Sequence, residues 1–290
     1  MKKKAKLEEL VITLPSFVWL IIFFLIPTVV IFAFAFKPSD SFGGIGEGWT
    51  LENIYTLVDT SYLGLIIRTL WLSTIATGLC LALGLPVGYQ LARSSYRTRQ
   101  LILLLIIVPF WSSFLVRIFA WKSLLHPEGF FKNILVNLHI IDASTSLLYN
   151  SGAVVLVMVY TYLPFAVLPI YAAASKFNFQ LLEAASDLGA TRAYGFFKVF
   201  IPSIRKGIGT ALIMVFIPAI GAYVIPDLVG GTQSEMIGNK IAQRTFLDRN
   251  LPLASALSAL LSLIILLPLA AMTIYQGKSK KWVLEGRAKE

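Results

Sequence analysis

Cysteine, histidine and charged residues are scarce in this chain of 290 residues. Its one cysteine, Cys80, cannot form a disulfide within the chain, and its two histidines, His126 and His139, leave little material for a metal site. Only 14% of the residues are charged, whereas 57% are hydrophobic before glycine is counted. An average soluble domain has about 25% charged residues. The composition therefore excludes a disulfide scaffold, zinc chemistry and a soluble protein with a single core.

The few charged residues are mainly basic. There are 25 Lys and Arg against 15 Asp and Glu, which gives a net charge of +10. A basic excess of this size, taken alone, is compatible with nucleic-acid binding. The mean hydropathy of +0.76 makes a basic membrane protein the better interpretation. We therefore expect membrane lipid, and no nucleic acid, around this chain.

Six apolar runs are long enough to cross a bilayer, since a spanning helix needs about 20 predominantly apolar residues. The first run has 27 residues and exceeds the apolar region of a signal peptide, about 7–15 residues, so we expect an uncleaved span. Each run contains proline or glycine, so kinked helices are expected. The runs are 10–36, 65–91, 101–125, 153–175, 208–229 and 251–275.

Lysine and arginine are distributed unequally among the segments that join these runs. Seventeen fall on one side of the membrane and five on the other. Short segments rich in Lys and Arg stay in the cytoplasm, so both termini are expected there, with the protein in the cell (inner) membrane. The chain then divides into a basic cytoplasmic N-terminus (1–9), a six-span domain (10–275) and a basic cytoplasmic tail (276–290).

One cytoplasmic segment (176–207) has the periodicity of an amphipathic helix. Four small or apolar residues share one side of a helical wheel, whereas two carboxylates fall on the other side. Such a pattern predicts a short helix with an apolar packing side and an acidic face. The residues are Leu181, Ala184, Ala185 and Leu188 on the apolar side, and Glu183 and Asp187 on the acidic side.

The ends of this helix are also marked in the sequence. We expect Asn178 to act as its N-cap and Gly189 to end it, and Thr191 to cap a second short helix that ends before Pro202. An acidic face would be repelled by the anionic inner leaflet of the membrane. The helix is therefore expected to dock onto a protein partner rather than to lie on the membrane surface.

The same segment resembles the EAA signature of ABC importer permeases, E-A-A-x3-G-x9-I-x-L-P. The resemblance extends over most of the chain to the permease subunits of spermidine/putrescine importers, but the outer first loop and both termini match poorly. In that family the segment, here named the EAA loop (176–207), is the coupling element that contacts the cytoplasmic ATPase. The matching or adjoining residues are Glu183, Ala184, Ala185, Asp187, Gly189 and Pro202, with Val199 and Ile201 in place of Ile and Leu.

The resemblance implies an all-α integral membrane protein, a six-span type I ABC importer permease with cytoplasmic coupling helices. It implies a cytoplasmic ABC ATPase dimer, a second permease subunit that differs from this one, and an extracytoplasmic solute-binding protein. ATP and Mg²⁺ are expected only on the ATPase, since Gly277-Lys278-Ser279 lacks the glycine of a Walker loop at position 272. No cofactor and no catalytic residue is expected in this chain.

A polyamine cargo would need carboxylates and aromatic rings along its route. The candidate pathway residues are Trp111, Tyr160, Tyr162, Tyr223 and Asp227. For the aromatic residues, ordinary packing between helices is the alternative. Asp227, the only carboxylate inside the six runs, either faces the pathway or lies at the outer interface, solvated or paired with Arg117 or Lys122.

Two alternatives keep a transport activity. An importer of the same family with another cargo is one, because the EAA signature does not specify the cargo. The acidic excess of the outer segments, −3 in sum, weakly favours cations, although solvated loop charge explains it equally well. A transporter driven by an ion gradient is the other, but it usually has internal repeats, and none is found. An intramembrane enzyme is disfavoured, because no span carries a nucleophile with a plausible base.

Topology provides a direct test. A cysteine introduced at Thr191 should react only with reagent added on the cytoplasmic side, and one at Gly44 only with reagent added outside, because of the distribution of Lys and Arg. Labelling with a membrane-impermeant maleimide, in a variant with Cys80 replaced by serine, measures this. Labelling of both positions from the same side would contradict the six-span topology.

Overall fold

The computed structural model describes residues 13–40 and 43–287, and these form helices joined by turns. The basic residues of segment 1–9 and the last three residues lie outside the described ranges. Within those ranges there is no named strand, only an isolated bridge between Ser39 and Ile45. In chain order the helices are α1 (Thr13–Phe34), α2 (Glu52–Leu57), α3 (Thr60–Arg93), α4 (Tyr96–Trp111), α5 (Phe114–Leu124), α6 (Phe130–Asn137), α7 (Ser151–Ala174), α8 (Gln180–Asp187), α9 (Arg192–Ser203), α10 (Arg205–Ile220), α11 (Val224–Val229), α12 (Ile237–Ala242) and α13 (Leu251–Arg287).

Four helices of the described chain are each long and apolar enough to cross a membrane: α1, α3, α7 and the Leu251–Pro268 part of α13. They correspond to the first, second, fourth and sixth apolar runs, and they confirm the predicted helices in the described part of these runs; residues 10–12 of the first run lie outside the described ranges. Two bent pairs, α4 with α5 and α9 with α10, pass the same test when each pair is taken together. Counting each bent pair as one span gives six.

The third run, 101–125, is not the continuous helix that the sequence predicts. Its two parts, α4 and α5, meet at an angle of 95°. Pro109 has no N–H to donate, and the last turn of α4, Val108–Trp111, tightens to a 3₁₀ helix. Ser112 then has an extended backbone, and its Oγ donates a hydrogen bond to the Pro109 carbonyl at 2.7 Å. The proline and the serine together end the helix before the apolar run does.

The fifth run, 208–229, also differs from the prediction. Helix α10 ends at Ile220 with Gly221 as its C-cap, so Tyr223 and Asp227 do not belong to the span but to the region of the short helix α11. Pro226 explains part of this difference, because it could not donate to the carbonyl of Ala222 in a continuous helix. A proline in the first turn of a new helix loses no bond.

The second helix of the EAA loop continues further than expected. It does not end before Pro202 but reaches Ser203. A π-helical stretch, Gly195–Phe200, precedes the proline, which lies in the first turn of the α-helical segment that follows, where no N–H is required. The chain then turns by 74° between α9 and α10.

Residues Gly64–Asn239 form one compact unit, and its core lies along α7. Close approach of helices depends here on small residues, as is usual in membranes. A Cβ at Gly88 of α3 would lie 2.6 Å from Cγ2 of Ile170 in α7, and one at Gly207 of α10 would collide with Cβ of Ala173. The two glycines therefore let α3 and α10 pack directly against α7.

The second compact unit comprises the described residues up to Leu63 and those from Lys240 to Arg287. In it, α1 contacts α13. Arg244 Nη1 lies 2.7 Å from the carboxylate of Asp248, and Nη2 donates to the hydroxyl of Tyr62 at 2.9 Å. Burial lowers the pKa of Arg244, but the contacts with Tyr62 and Asp248 outweigh that effect and raise it above its usual value. Arg244 thus joins the start of α3 to the segment before α13.

The glycine contact between α3 and α7 leads to a stability prediction. We expect Gly88→Ala to destabilise the protein by about 1–3 kcal/mol, because the added methyl group overpacks the contact with Ile170. Gly78→Ala is the matched control on the same helix, since a Cβ there meets no atom within 4 Å. Thermal unfolding in detergent, followed by size-exclusion chromatography, measures the difference. Equal midpoints for the two variants would contradict the close packing.

Candidate coupling and pathway sites

The EAA loop contains the amphipathic helix that the sequence predicts, α8. Its N-terminus begins slightly later than expected: Phe179 occupies the N-cap position, so the prediction for Asn178 is wrong by one residue. The Oδ1 atom of Asn178 accepts a hydrogen bond from the backbone N–H of Gln180 at 3.1 Å. Asn178 therefore forms a turn immediately before the helix instead of capping it.

The C-terminus of α8 confirms the prediction for Gly189. Gly189 has φ +85°, in the left-handed region that favours glycine. Its N–H donates to the carbonyl of Ser186 at 2.9 Å, and the N–H of Ala190 donates to the carbonyl of Ala185 at 3.0 Å. These two bonds define a Schellman motif. A Cβ on Gly189 would meet no atom within 4 Å, so the backbone angle, and not a lack of space, favours glycine here.

Thr191 begins the second helix of the loop as predicted. Its Oγ1 accepts a hydrogen bond from the N–H of Tyr194 at 3.2 Å, which satisfies one free donor of α9. The corner between α8 and α9 leaves an open hollow of about 480 Å³. Residues from both helices and from the turn between them line it, namely Ala185, Leu188, Gly189, Ala190, Thr191 and Tyr194.

The predicted packing side of α8 faces outward from this chain. Leu188 is 90% exposed and Leu181 is 49% exposed, and Ala184 is exposed as well. The neighbouring Leu182 instead packs against the buried core. Exposed apolar side chains grouped on one helix are typical of a surface that contacts another protein. Glu183 and Asp187 are also exposed, and no ion pair of either is found within the described part of the chain.

An aromatic cluster that the sequence analysis missed holds the loop against the helix bundle. It consists of Tyr89 from α3, Phe177 and Phe179 before α8, and Phe196 and Phe200 from α9. Phe200 is fully buried. The spacing of Phe196 and Phe200, four residues apart on one helix, is the signal that could have indicated a shared packing face.

The aromatic pathway candidates in the helices have different environments. Trp111 ends α4 at the break before α5 and is 79% exposed. Tyr160 contacts Trp121 edge-on, with ring centroids 5.2 Å apart. Tyr162 is only 6% exposed, and its hydroxyl donates to the carbonyl of Pro218 at 3.3 Å. Tyr162 therefore has the position of a residue that packs between α7 and α10.

Tyr223 and Asp227 lie close together near the start of α11. Tyr223 is 50% exposed, Asp227 is exposed, and the N–H of Asp227 donates to the carbonyl of Tyr223 at 3.0 Å. Among the described residues Asp227 forms no ion pair with Arg117 or Lys122, so that part of the alternative is not observed. Arg117 instead lies 4.7 Å from the centroid of the Phe110 ring.

The chain around α11 is fixed by polar side chains. The Nδ2 atom of Asn239 donates to the carbonyl of Tyr223 at 2.8 Å, and the Oδ1 atom accepts from the N–H of Met236 at 3.1 Å. The N–H of Ile237 donates to Oγ1 of Thr69 in α3 at 2.9 Å. These bonds hold Tyr223 and Asp227 in place with respect to the core of this unit. No group of three or more His, Cys, Asp or Glu that could hold a metal occurs in the residues that the structure describes.

The fold and the EAA loop together define the permease class of membrane transport subunits. Comparison with protein families agrees: residues 81–282 match the model of the binding-protein-dependent transport system inner membrane component. The chain belongs to this family and is a permease subunit of an ABC importer. The alternative of a transporter driven by an ion gradient is thereby set aside.

Curated relatives cover most of the chain. The spermidine/putrescine transport system permease protein PotB of Escherichia coli K12 is 35% identical over 246 residues, which is 85% of this chain and 90% of the relative. PotB of Haemophilus influenzae is 34% identical over 261 residues, 90% of this chain and 91% of the relative. The inner membrane ABC transporter permease protein YdcU of E. coli K12 is 30% identical over 233 residues, 76% of this chain and 74% of the relative.

Solved structures share the fold at lower sequence identity. A chain of a bacterial ABC transporter that imports the acidic polysaccharide alginate aligns with a TM-score of 0.67 at 20% identity, covering 94% of this chain and 96% of that one. A chain of the methionine ABC transporter MetNI aligns with a TM-score of 0.52 at 18% identity, covering 76% of this chain and 99% of that one. The all-α permease fold predicted from the sequence is confirmed.

Proposed function

We propose that this ABC importer permease subunit moves polyamines, spermidine or putrescine, into the cytoplasm. The observation that carries the proposal is the 35% identity to a spermidine/putrescine permease over 85% of the chain. Exposed aromatic and acidic groups of the kind that bind polycations support it. Tyr223 and Asp227 are held together beside α11, and Trp111 is exposed at the break between α4 and α5.

The cargo would cross as an extended chain with several positive charges. A carboxylate such as that of Asp227 stabilises one ammonium group directly, and an aromatic face such as that of Tyr223 contributes about 0.5–2 kcal/mol through a cation–π contact. Contacts of this size, spread along a route, allow binding without trapping the cargo. Tyr162 is not assigned to the route, because its ring is buried and its hydroxyl is bonded to α10.

The proposal includes three kinds of partner. The outward apolar face of α8 would pack onto a cytoplasmic ATPase dimer that binds ATP and Mg²⁺, with Glu183 and Asp187 meeting its basic groups. A second, different permease subunit would complete the pathway, and an extracytoplasmic solute-binding protein would deliver the cargo. A related alginate transporter has been solved in complex with a periplasmic protein. Both termini and the EAA loop would face the cytoplasm.

Two substitutions test the cargo. Asp227→Asn and Tyr223→Leu should each raise the concentration of spermidine or putrescine needed for half-maximal uptake, for Tyr223→Leu about 2- to 30-fold, because a cation contact is removed. Uptake of tritiated spermidine and putrescine by cells with the whole transporter measures this. Asp142→Asn, at an exposed carboxylate that belongs neither to α11 nor to a predicted span, is the control. Wild-type uptake in both test variants would remove these residues from the pathway.

The turn after α8 tests the coupling role. Gly189→Val should abolish transport, because a β-branched residue in the left-handed region is strained by about 1–2 kcal/mol or more. Ala185→Asp should do the same, because a charge in the hollow would hold the ATPase away. In both variants the ATPase should copurify less with the permease while membrane insertion is normal.

A conservative substitution sharpens this test. Gly189→Asn should retain much of the activity, since asparagine tolerates positive φ better than other residues do. Ser186→Ala, on the exposed surface of the same helix, is expected to behave like the wild type. If Gly189→Val and Ala185→Asp keep wild-type ATPase binding and uptake, the EAA loop of this chain is not the coupling element.

A further inference from the structure

One aromatic side chain of the second span reaches the EAA loop. Tyr89 lies one turn before the end of α3 and contacts three phenylalanines edge-on. Its ring centroid is 5.9 Å from that of Phe179, 5.3 Å from that of Phe196 and 4.9 Å from that of Phe200. Edge-to-face geometry at these distances is the favourable arrangement for aromatic pairs. Tyr89 is thus in contact with the chain on both sides of α8.

The phenylalanines of the aromatic cluster also contact one another. Phe177 is 5.2 Å from Phe179 and 5.3 Å from Phe200, and Phe196 is 5.4 Å from Phe200. The segment before α8 and the helix α9 are therefore joined by the same rings that contact Tyr89. Since close-packed side chains transmit displacement instead of absorbing it, the loop and the ring of Tyr89 are expected to move together.

Aromatic and other apolar contacts make the connection between the EAA loop and α3. In the ranges that the structure describes, no hydrogen bond or ion pair joins the loop to α3. Arg93 strengthens the aromatic cluster from its edge: its Nη1 donates to the Tyr89 hydroxyl at 2.7 Å, and its guanidinium carbon lies 5.8 Å from the centroid of Phe179. This arginine is exposed, whereas Phe200 is fully buried and the other rings of the cluster are half-buried, so the rings provide the larger contact.

The position of Tyr89 along α3 matters as well. The residue before it, Gly88, lies where α3 packs tightly against Ile170 of α7. A displacement of the Tyr89 ring therefore acts on the helix at its contact with the core of the unit. The outward face of α8, with Leu181 and Leu188, is free of such contacts. The loop has one face open to a partner and another fixed to α3.

We propose that Tyr89 is a positioning residue, through which the EAA loop acts on the second span when the ATPase closes. The proposal rests on the coupling role proposed above for the loop. It assigns a function to a residue outside the EAA signature and makes the ring, and not the hydroxyl, responsible. Without the ring, the loop would still bind the ATPase through its outward face, but its movement would no longer reach α3.

Spin labels on the complete transporter test this without knowledge of the cargo. In a variant with Cys80 replaced by serine, one nitroxide is placed at Gln180, which is exposed and outside the hollow, and in a second sample one is placed at Gly78 of α3, where a side chain has open space. Spectra are compared with and without a non-hydrolysable ATP analogue. In the otherwise wild-type protein, both labels should respond.

Tyr89→Leu should separate the two responses. The label at Gln180 should respond as in the wild type, whereas the response at Gly78 should fall to about a tenth or less. Tyr89→Phe should keep both responses, because it retains the ring and loses only the bond from Arg93. Tyr96→Leu is the matched control and should behave like the wild type, since Tyr96 is exposed and its hydroxyl and ring contact Gln100 and Arg99 next to it on α4.

Four results would overturn the proposal itself, and a fifth would overturn the coupling role on which it rests. A wild-type response at Gly78 in Tyr89→Leu would show that the ring is not needed, and loss of the response in Tyr89→Phe would show that the hydroxyl is what matters. Loss of the ATPase from the Tyr89→Leu complex would assign the residue to assembly alone. Absence of any response at Gly78 in the wild type would mean that α3 does not move. If the label at Gln180 is silent in the wild type, the coupling role of the loop itself fails.

Discussion

A bilayer supplies no hydrogen bonds to the backbone, and the rest of this structure depends on that constraint. Each N–H and C=O at membrane depth has to be satisfied within the protein, which explains why the apolar runs are helical. The breaks occur where local groups compensate. At Pro109 the Oγ of Ser112 bonds to the exposed carbonyl, and beyond Gly221 the amide of Asn239 bonds to the carbonyl of Tyr223. The irregular segments are therefore fixed in position.

Helix packing satisfies a second requirement, because lipid gives helices no hydrophobic reason to associate. The helices therefore have to pack closely, and the glycines of α3 and α10 that face α7 allow this. Outside this core the EAA loop keeps its apolar surface exposed at Leu188, which is costly for an isolated chain in water and useful for a subunit that awaits a partner. The opposite side of the same loop is fixed by the aromatic cluster, which includes the fully buried Phe200. One face of the loop is available to a partner and the other is attached to α3. An element that transmits movement from a partner to the spans requires both.

Much of the fold and of the EAA loop could be predicted from the sequence, and the predictions that were wrong have physical causes. Apolar length predicts the continuous spans, and the local chemistry of Gly189 and Thr191 predicts the turn between α8 and α9, because these signals involve neighbouring residues. The hydropathy of a segment carries no information on the direction of its backbone. It therefore could not show that α4 and α5 meet at 95° or that Asp227 lies beyond α10. The contact between Tyr89 and Phe200 joins residues far apart in sequence, and no periodicity indicates such pairs.

The glycine contacts of α7 have a consequence for how the protein is made. Helix α7 packs against α3, which precedes it in synthesis, and against α10, which follows it. When α7 enters the membrane, the side of it that later receives α10 faces lipid along the membrane-embedded part of the helix until α10 is inserted. In water such an unfinished apolar surface would invite aggregation, but lipid tails are as apolar as the side chains it displays. The helices can therefore be inserted one by one, and an intermediate in which α7 is inserted before α10 needs no chaperone to cover the side of α7 that α10 later contacts.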